Sequence, residues 1–144
     1  MATIQYQTSI TGSIFDVFTM ATDFEHAADL QDHITHSTVT SGNPIRSGTM
    51  ISQNRKWMGG NGFYNADVLD YQRYKEITLK GVFNRYPFTR TIKFESTGGK
   101  VLVKDSVTFR VGCLYFWYAP LLNMRFKGQM KQEWETIKRK VEKG

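Results

Sequence analysis

Four residues in the middle of the chain, Arg55, Tyr64, Arg90 and Asp105, fall where apolar side chains are expected. Each lies in a stretch of alternating apolar and polar residues, on the apolar side of the alternation. Burying a charge is costly unless it is paired and hydrogen-bonded, so a guanidinium or carboxylate aimed at a core needs a partner or water. A guanidinium in such a place can hold a carboxylate, a phenolate or a carbonyl. Two readings stay open: the polar end of a ligand pocket, with Arg90 or Arg55 gripping the ligand, or a structural ion pair of Arg90 with Asp105.

Other groups with chemical potential are weaker. His26, Asp29, Asp32, His33 and His36 form a metal-like cluster in sequence. To share an ion they would have to stay helical through His36, whereas residues 34 to 40 read as a strand that turns the ligands apart. No metal and no cofactor are expected. His33 or His36 could face a pocket as acid or base, but the simpler expectation is exposure. Glu133, on the edge of an apolar helical arc, is likewise expected to be exposed. Gly59-Gly60-Asn61-Gly62 lacks the following helix that a phosphate-binding loop needs and reads as a hairpin turn. Cys113 has no histidine close in sequence and reads as a packed thiol.

These residues must be positioned by one strand, two short helices, a run of strands and a long terminal helix. Residues 2 to 10 alternate around Ile4, Tyr6 and Ile10, a half-buried strand. Ser13, with Asp16 three residues on, opens a short helix, and Asp23 is placed to cap a second. From Ile34 the spacing is strand-like, punctuated at Gly42-Asn43-Pro44, Gly59-Gly60, Tyr71 to Tyr74, Asn84 to Pro87 and Gly98-Gly99, which gives six further strands in a meander. Pro120 suits the first turn of a last helix, on which Leu122, Phe126, Met130, Trp134, Ile137 and Val141 share an arc of about 120°. At roughly 33 Å this helix can cover the sheet.

The turns also predict a register. A two-residue turn at Gly98-Gly99 sets Ile92 opposite Asp105 and Phe94 opposite Val103. Four-residue turns over Asn84 to Pro87 and Tyr71 to Tyr74 set Gly81 opposite both Arg90 and Tyr64, and a turn at Gly59-Gly60 sets Arg55 opposite Tyr64. One inward row then reads Arg55, Tyr64, Gly81, Arg90, Val107, with Gly81 leaving room above the sheet. Arg90 and Asp105 lie diagonally across adjacent strands, within reach of each other. A bulge would slip this register locally.

The 144 residues, 40% hydrophobic and 22% charged, suit one domain able to bury a core. A single cysteine excludes an intrachain disulfide, and the first nine residues have no signal-peptide pattern, so a reducing, cytoplasmic setting is expected. The apolar run from Cys113 to Leu122 is about half the roughly 20 residues needed to span a bilayer. Of the net charge of +6, residues 125 to 144 supply seven cations against three acids. Several of these cations sit in the last turns, where they complement the helix dipole, so the charge reads as a solvated helix face and not a nucleic-acid site.

The order of elements, with the Ser13 to Ala21 helix, the Asp23 helix, the Gly42 to Gly48 loop, the Ala66-Asp67-Val68 strand and the Pro120 helix, resembles the START-like helix-grip (SRPBCC) superfamily. It looks most like its polyketide cyclase/dehydrase and lipid-transport-like group. The resemblance implies an α+β helix-grip fold over residues 1 to 144 as one ligand-binding domain. Its seven-stranded curved antiparallel sheet would wrap the C-terminal helix around a hydrophobic cavity. It carries over no catalytic residue, because members include carriers, cyclases and hydrolases.

The expected partner is a small hydrophobic or aromatic molecule, held as by a carrier or sensor. A cyclase/dehydratase-like enzyme using the same cavity is the alternative, with Tyr64, Asp105, His33 or Glu133 as candidates to move protons. A protein- or membrane-interaction module using the basic helix and the Tyr115-Phe116-Trp117-Tyr118 loop is a third, with no stable membrane insertion in any of them. A ligand would meet Arg55, Trp57, Tyr64, Phe83, Arg90 and Asp105 from the strands. It would meet Tyr115 at the pocket mouth and Phe126 and Met130 on the helix.

Overall fold

The Ser13 hydroxyl accepts the backbone N–H of Asp16 at 3.1 Å, and this cap ends the first strand and starts the first helix. The computed structural model describes residues 2–40, 45–110 and 119–143. Strand β1 (Ala2–Thr11) leads through Ser13 into helix α1 (Ile14–Ala21), a 3-10 turn (Phe24–His26) and helix α2 (Ala27–Leu30). Asp23 stands at the head of that turn, but its carboxylate takes the His26 ring at 3.0 Å in place of the backbone cap expected of it.

Six strands follow as a meander: β2 (Ile34–Val39), β3 (Met50–Trp57), β4 (Gly60–Gln72), β5 (Glu76–Phe83), β6 (Tyr86–Thr97) and β7 (Lys100–Phe109). All pair antiparallel, and β1 returns beside β7, giving the order β1-β7-β6-β5-β4-β3-β2. Helix α3 (Ala119–Lys143) closes the concave face, with Leu122, Phe126, Met130, Trp134 and Ile137 buried. The end of β1 is also tied to α3, where the Thr11 N–H donates to Glu142 Oε2 at 2.9 Å.

The Gly98-Gly99 hairpin pairs Ile92 with Asp105 and Phe94 with Val103, as predicted. The other three hairpins are displaced by two residues. Asn84 and Arg85 alone form the β5–β6 turn, so Gly81 pairs with Phe88 and Leu79 with Arg90. Pro87 lies within β6, not in the turn it was taken to mark. The β3–β4 turn is Met58-Gly59, with φ of 46° and 81°, which brings Arg55 opposite Gly62 and Gln53 opposite Tyr64.

Between β4 and β5 the pairing Gln72–Glu76 leaves a three-residue loop, which would turn every β4 side chain to the wrong face. An extra residue, Leu69, between the paired Val68 and Asp70 restores the alternation. The inward set is therefore the predicted one although its neighbours differ.

Gly81 serves a purpose other than the one expected. A Cβ there would fall 1.8 Å from the Asn65 carbonyl oxygen and 2.6 Å from Ala66 Cα. The glycine allows β4 and β5 backbones to approach; it does not open space for a ligand.

Candidate functional site

Arg55 and Arg90 point inward from β3 and β6 by the period-two alternation of their strands, and both are buried. They do not share a row: Arg90 pairs with Leu79 and Val107, and Asp105 with Ile92 and Tyr6. Long side chains bring them together. Arg90 Nε and Nη2 donate to the two Asp105 carboxylate oxygens at 3.0 and 2.6 Å, a bidentate pair. Its Nη1 donates to the Tyr64 hydroxyl at 3.5 Å.

Helix α3 supplies the second carboxylate. Glu133 was expected to be exposed; it is 7% exposed, because the arc that buries Trp134 is wide enough to carry its neighbour under the sheet. Its Oε2 lies 3.2 Å from Arg90 Nη2 and its Oε1 3.0 Å from Arg55 Nη1. His33, also expected at the surface, is buried, and its Nε2 lies 3.0 Å from Glu133 Oε1. The segment leaving α2 turns it inward before β2 begins.

Neutral groups complete the shell. Gln53 Oε1 accepts from Arg55 Nε and Nη2 at 3.1 and 2.9 Å. Gln129 Oε1 accepts from Arg55 Nη1 at 3.3 Å, while its Nε2 donates to the Lys56 carbonyl. Trp134 Nε1 donates to Asp105 Oδ2 at 2.8 Å. The Arg55 guanidinium also stacks over the Tyr64 ring, 4.3 Å from its centroid.

Burial alone would push the Glu133 carboxyl up, but Arg55 and Arg90, with the His33 hydrogen bond, outweigh it and hold the group well below the usual carboxylate range. Burial acts against the Arg90 charge as well, and Asp105, Tyr64 and Glu133 reverse that, so its guanidinium stays charged. Two cations thus face two anions.

Beside this network lies a cavity of about 40 Å³. Gln31, Gln53, Arg55, Arg90 and Glu133 form its polar wall, Asp23 also borders it, and apolar side chains such as Phe24, Leu30 and Ile92 line the remainder. The far end of the space under α3 is filled by rings: Trp57 meets Phe83 at 4.7 Å, and Phe126 meets Phe109 at 5.1 Å and Phe83 at 5.4 Å.

Of the predicted ligand contacts, Arg55 and Arg90 line the cavity. Tyr64 and Asp105 stand behind them, in contact with Arg90. Trp57, Phe83 and Phe126 belong to the ring-filled end, and Met130, fully buried, sits one helical turn from both Phe126 and Trp134. Tyr115, the rest of its aromatic run and Cys113 lie outside the described residues, as do residues 42 to 44 of the predicted loop.

His26 is on the surface with Asp23, and His36 is exposed. Among the described residues no three His, Cys, Asp or Glu side chains come close enough to share a metal ion.

Sequence reasoning missed Gln31, Gln53 and Gln129. Gln53 was readable, being two residues from Arg55 on the same side of one strand. Gln31 and Gln129 carry no pattern of their own.

A curled seven-stranded antiparallel sheet, two short helices after its first strand and one long helix across its concave face decide the architecture. The chain has the START-like helix-grip fold. Solved structures agree over nearly its whole length. A START superfamily protein from Mycobacterium smegmatis matches with a TM-score of 0.80 at 11% identity, covering 99% of each chain. The Zhui aromatase/cyclase from Streptomyces sp. R1128 matches with a TM-score of 0.78 at 8% identity, covering 97% of this chain and 93% of its own. Ara h 8.0201 matches with a TM-score of 0.72 at 17% identity, covering 99% and 98%. No protein-family model and no curated protein sequence matches the chain.

In this helix-grip chain the polar groups converge on one spot, and Glu133 within it is poorly suited to taking up a proton. Both Glu133 oxygens are engaged by cations or His33, and a carboxylate held ionised in this way is a weak base.

Proposed function

We propose that this chain binds a small hydrophobic or aromatic molecule between the sheet and α3, as a carrier or sensor. The observation that supports the reading is the cavity, whose wall is polar along Gln31, Gln53, Arg55, Arg90 and Glu133 and at Asp23, and otherwise mostly apolar. Its volume of about 40 Å³ accommodates a ligand's polar end. A larger body would extend past Phe24 and Leu30 and displace the short helical segment that carries them. Arg55 and Arg90 are the assigned ligand-facing charges, with Tyr64 and Asp105 holding them in place. A lone cysteine fits a reducing, cytoplasmic setting.

Native mass spectrometry of the full chain as purified tests this. A retained small molecule, released on denaturation, is the expected result. A chain that carries nothing and is not stabilised by any hydrophobic or aromatic compound in a thermal-shift screen overturns it.

A cyclase/dehydratase-like activity is favoured by one finding, the fold shared with the Zhui aromatase/cyclase. It would need a proton-moving group facing the cavity, and Glu133, which does line it, is held ionised by Arg55 and Arg90 and so is a weak base. The carrier or sensor reading requires no such group.

A further inference from the structure

The polar wall of the cavity is full of donors already in use, and short of one. Every guanidinium nitrogen of Arg55 and Arg90 has an oxygen partner, supplied by Gln53, Gln129, Glu133, Asp105 or Tyr64. The two cations are matched by the two carboxylates, so an incoming anion would compete with Asp105 and Glu133 and add a third negative charge to the same buried spot.

Gln31 differs. It is 4% exposed, it lines the cavity, and its Oε1 has no hydrogen-bond partner. The amide's orientation is set by its other end, where Nε2 donates to the main-chain carbonyl of Glu133 at 3.1 Å; a flip would bring two oxygens face to face. A buried acceptor without a donor is costly, and whatever occupies the cavity relieves that cost by donating. His33 Nδ1 is a second buried atom of the network with no partner. Gln31 Oε1 is thus an unmet acceptor, whereas the guanidinium nitrogens beside it are all partnered.

We infer, resting on the ligand-binding reading above, that the ligand's polar end is a neutral hydroxyl, phenolic or alcoholic, that donates to Gln31 Oε1. It is not an anion gripped by Arg55 or Arg90. A water molecule makes the same donation while the cavity is unliganded, and about 40 Å³ is room enough for it and for the hydroxyl that replaces it. Gln31, between α2 and β2, is then the residue that selects the ligand's head group.

Three one-ring probes of similar shape test this on the full chain: phenol, toluene and benzoate, each titrated and followed by protein NMR. Phenol should half-saturate the protein at about tenfold lower concentration than toluene, the difference expected for satisfying one buried acceptor. Benzoate should bind more weakly than either. The Gln31 side-chain amide signals should move with phenol and stay with toluene, and Gln31→Met should bring the phenol-to-toluene ratio close to one.

If phenol and toluene bind alike, or benzoate binds best, the hydroxyl inference fails while the hydrophobic pocket stands. If no probe binds, the pocket reading fails with it. Should Gln31→Met not fold, the wild-type ranking and the Gln31 signals decide the question without it.

Discussion

At one end of the space beneath α3, Trp57 and Phe83, Phe83 and Phe126, and Phe109 and Phe126 meet edge to face at ring separations of 4.7 to 5.4 Å. At the other, Arg55, Arg90, Asp105 and Glu133 hold one another through directional bonds beside a cavity. Rings adapt to their neighbours by tilting, so an aromatic core closes on itself. A charged network has fixed distances and angles, and the cavity beside this one carries polar atoms along one wall and apolar side chains along the other. The residues that made the cavity possible are therefore the ones that define what can enter it. Tyr64 marks the border, with its ring against Phe88 at 4.9 Å and under Arg55, and its hydroxyl toward Arg90.

The contrast breaks most completely if the chain is ended before Gly128. Leu122 and Phe126 would still cover the aromatic end, but Met130, Glu133, Trp134 and Ile137 would be lost, and Arg55 would face the core without a carboxylate. No cooperative thermal transition is expected from this truncated chain by circular dichroism. A sharp melt would mean that the aromatic end alone holds the fold.

A smaller, still large effect is expected from Arg90→Met, which leaves Asp105 buried without its cation: about 3 to 5 kcal/mol lost in urea denaturation. Adding Asp105→Leu should recover only part of this, because Trp134 Nε1 loses its acceptor and Glu133 keeps Arg55 alone. An Arg90→Met protein as stable as the parent would show that the network contributes nothing to burial at this end.

The smallest effect is graded and comes with acid. Glu133 has a folded pKa depressed below its unfolded value, so its stabilisation is complete above the unfolded pKa of about 4.3. It declines as pH falls below that value toward the folded one. The melting temperature should drop progressively below roughly pH 4.3, and Glu133→Gln should flatten that part of the profile while lowering its plateau. An unchanged slope in Glu133→Gln would place the acid sensitivity elsewhere.

The inward set of the sheet was legible because burial depends on parity. The β3–β4, β4–β5 and β5–β6 pairings all lie two residues from the predicted register, and an even shift exchanges partners without turning a side chain over. Pro87 was misleading as a turn marker, and a three-residue loop compensated by Leu69 leaves no local trace. Gly98-Gly99 was decisive because both residues take positive φ, 56° and 82°.

For the site, Arg90 and Asp105 announced themselves as charges in apolar positions. Glu133, one place from Trp134, lay at the rim of a helical arc where exposure and burial look alike in sequence. His33 and Gln31 belong to a connection with no period, and only the packed chain shows where they turn.

The Glu133 contacts also span the chain unevenly: 100 residues to His33 and 43 to Arg90. During synthesis every strand leaves the ribosome before Glu133 does. Until α3 arrives, Arg55 lacks the Glu133 carboxylate it meets in the folded chain, and an unpaired guanidinium is costly to bury. Helix α3 is made after every strand and is the element that neutralises the site, so a chain interrupted before it carries an unmatched Arg55 beside the cavity.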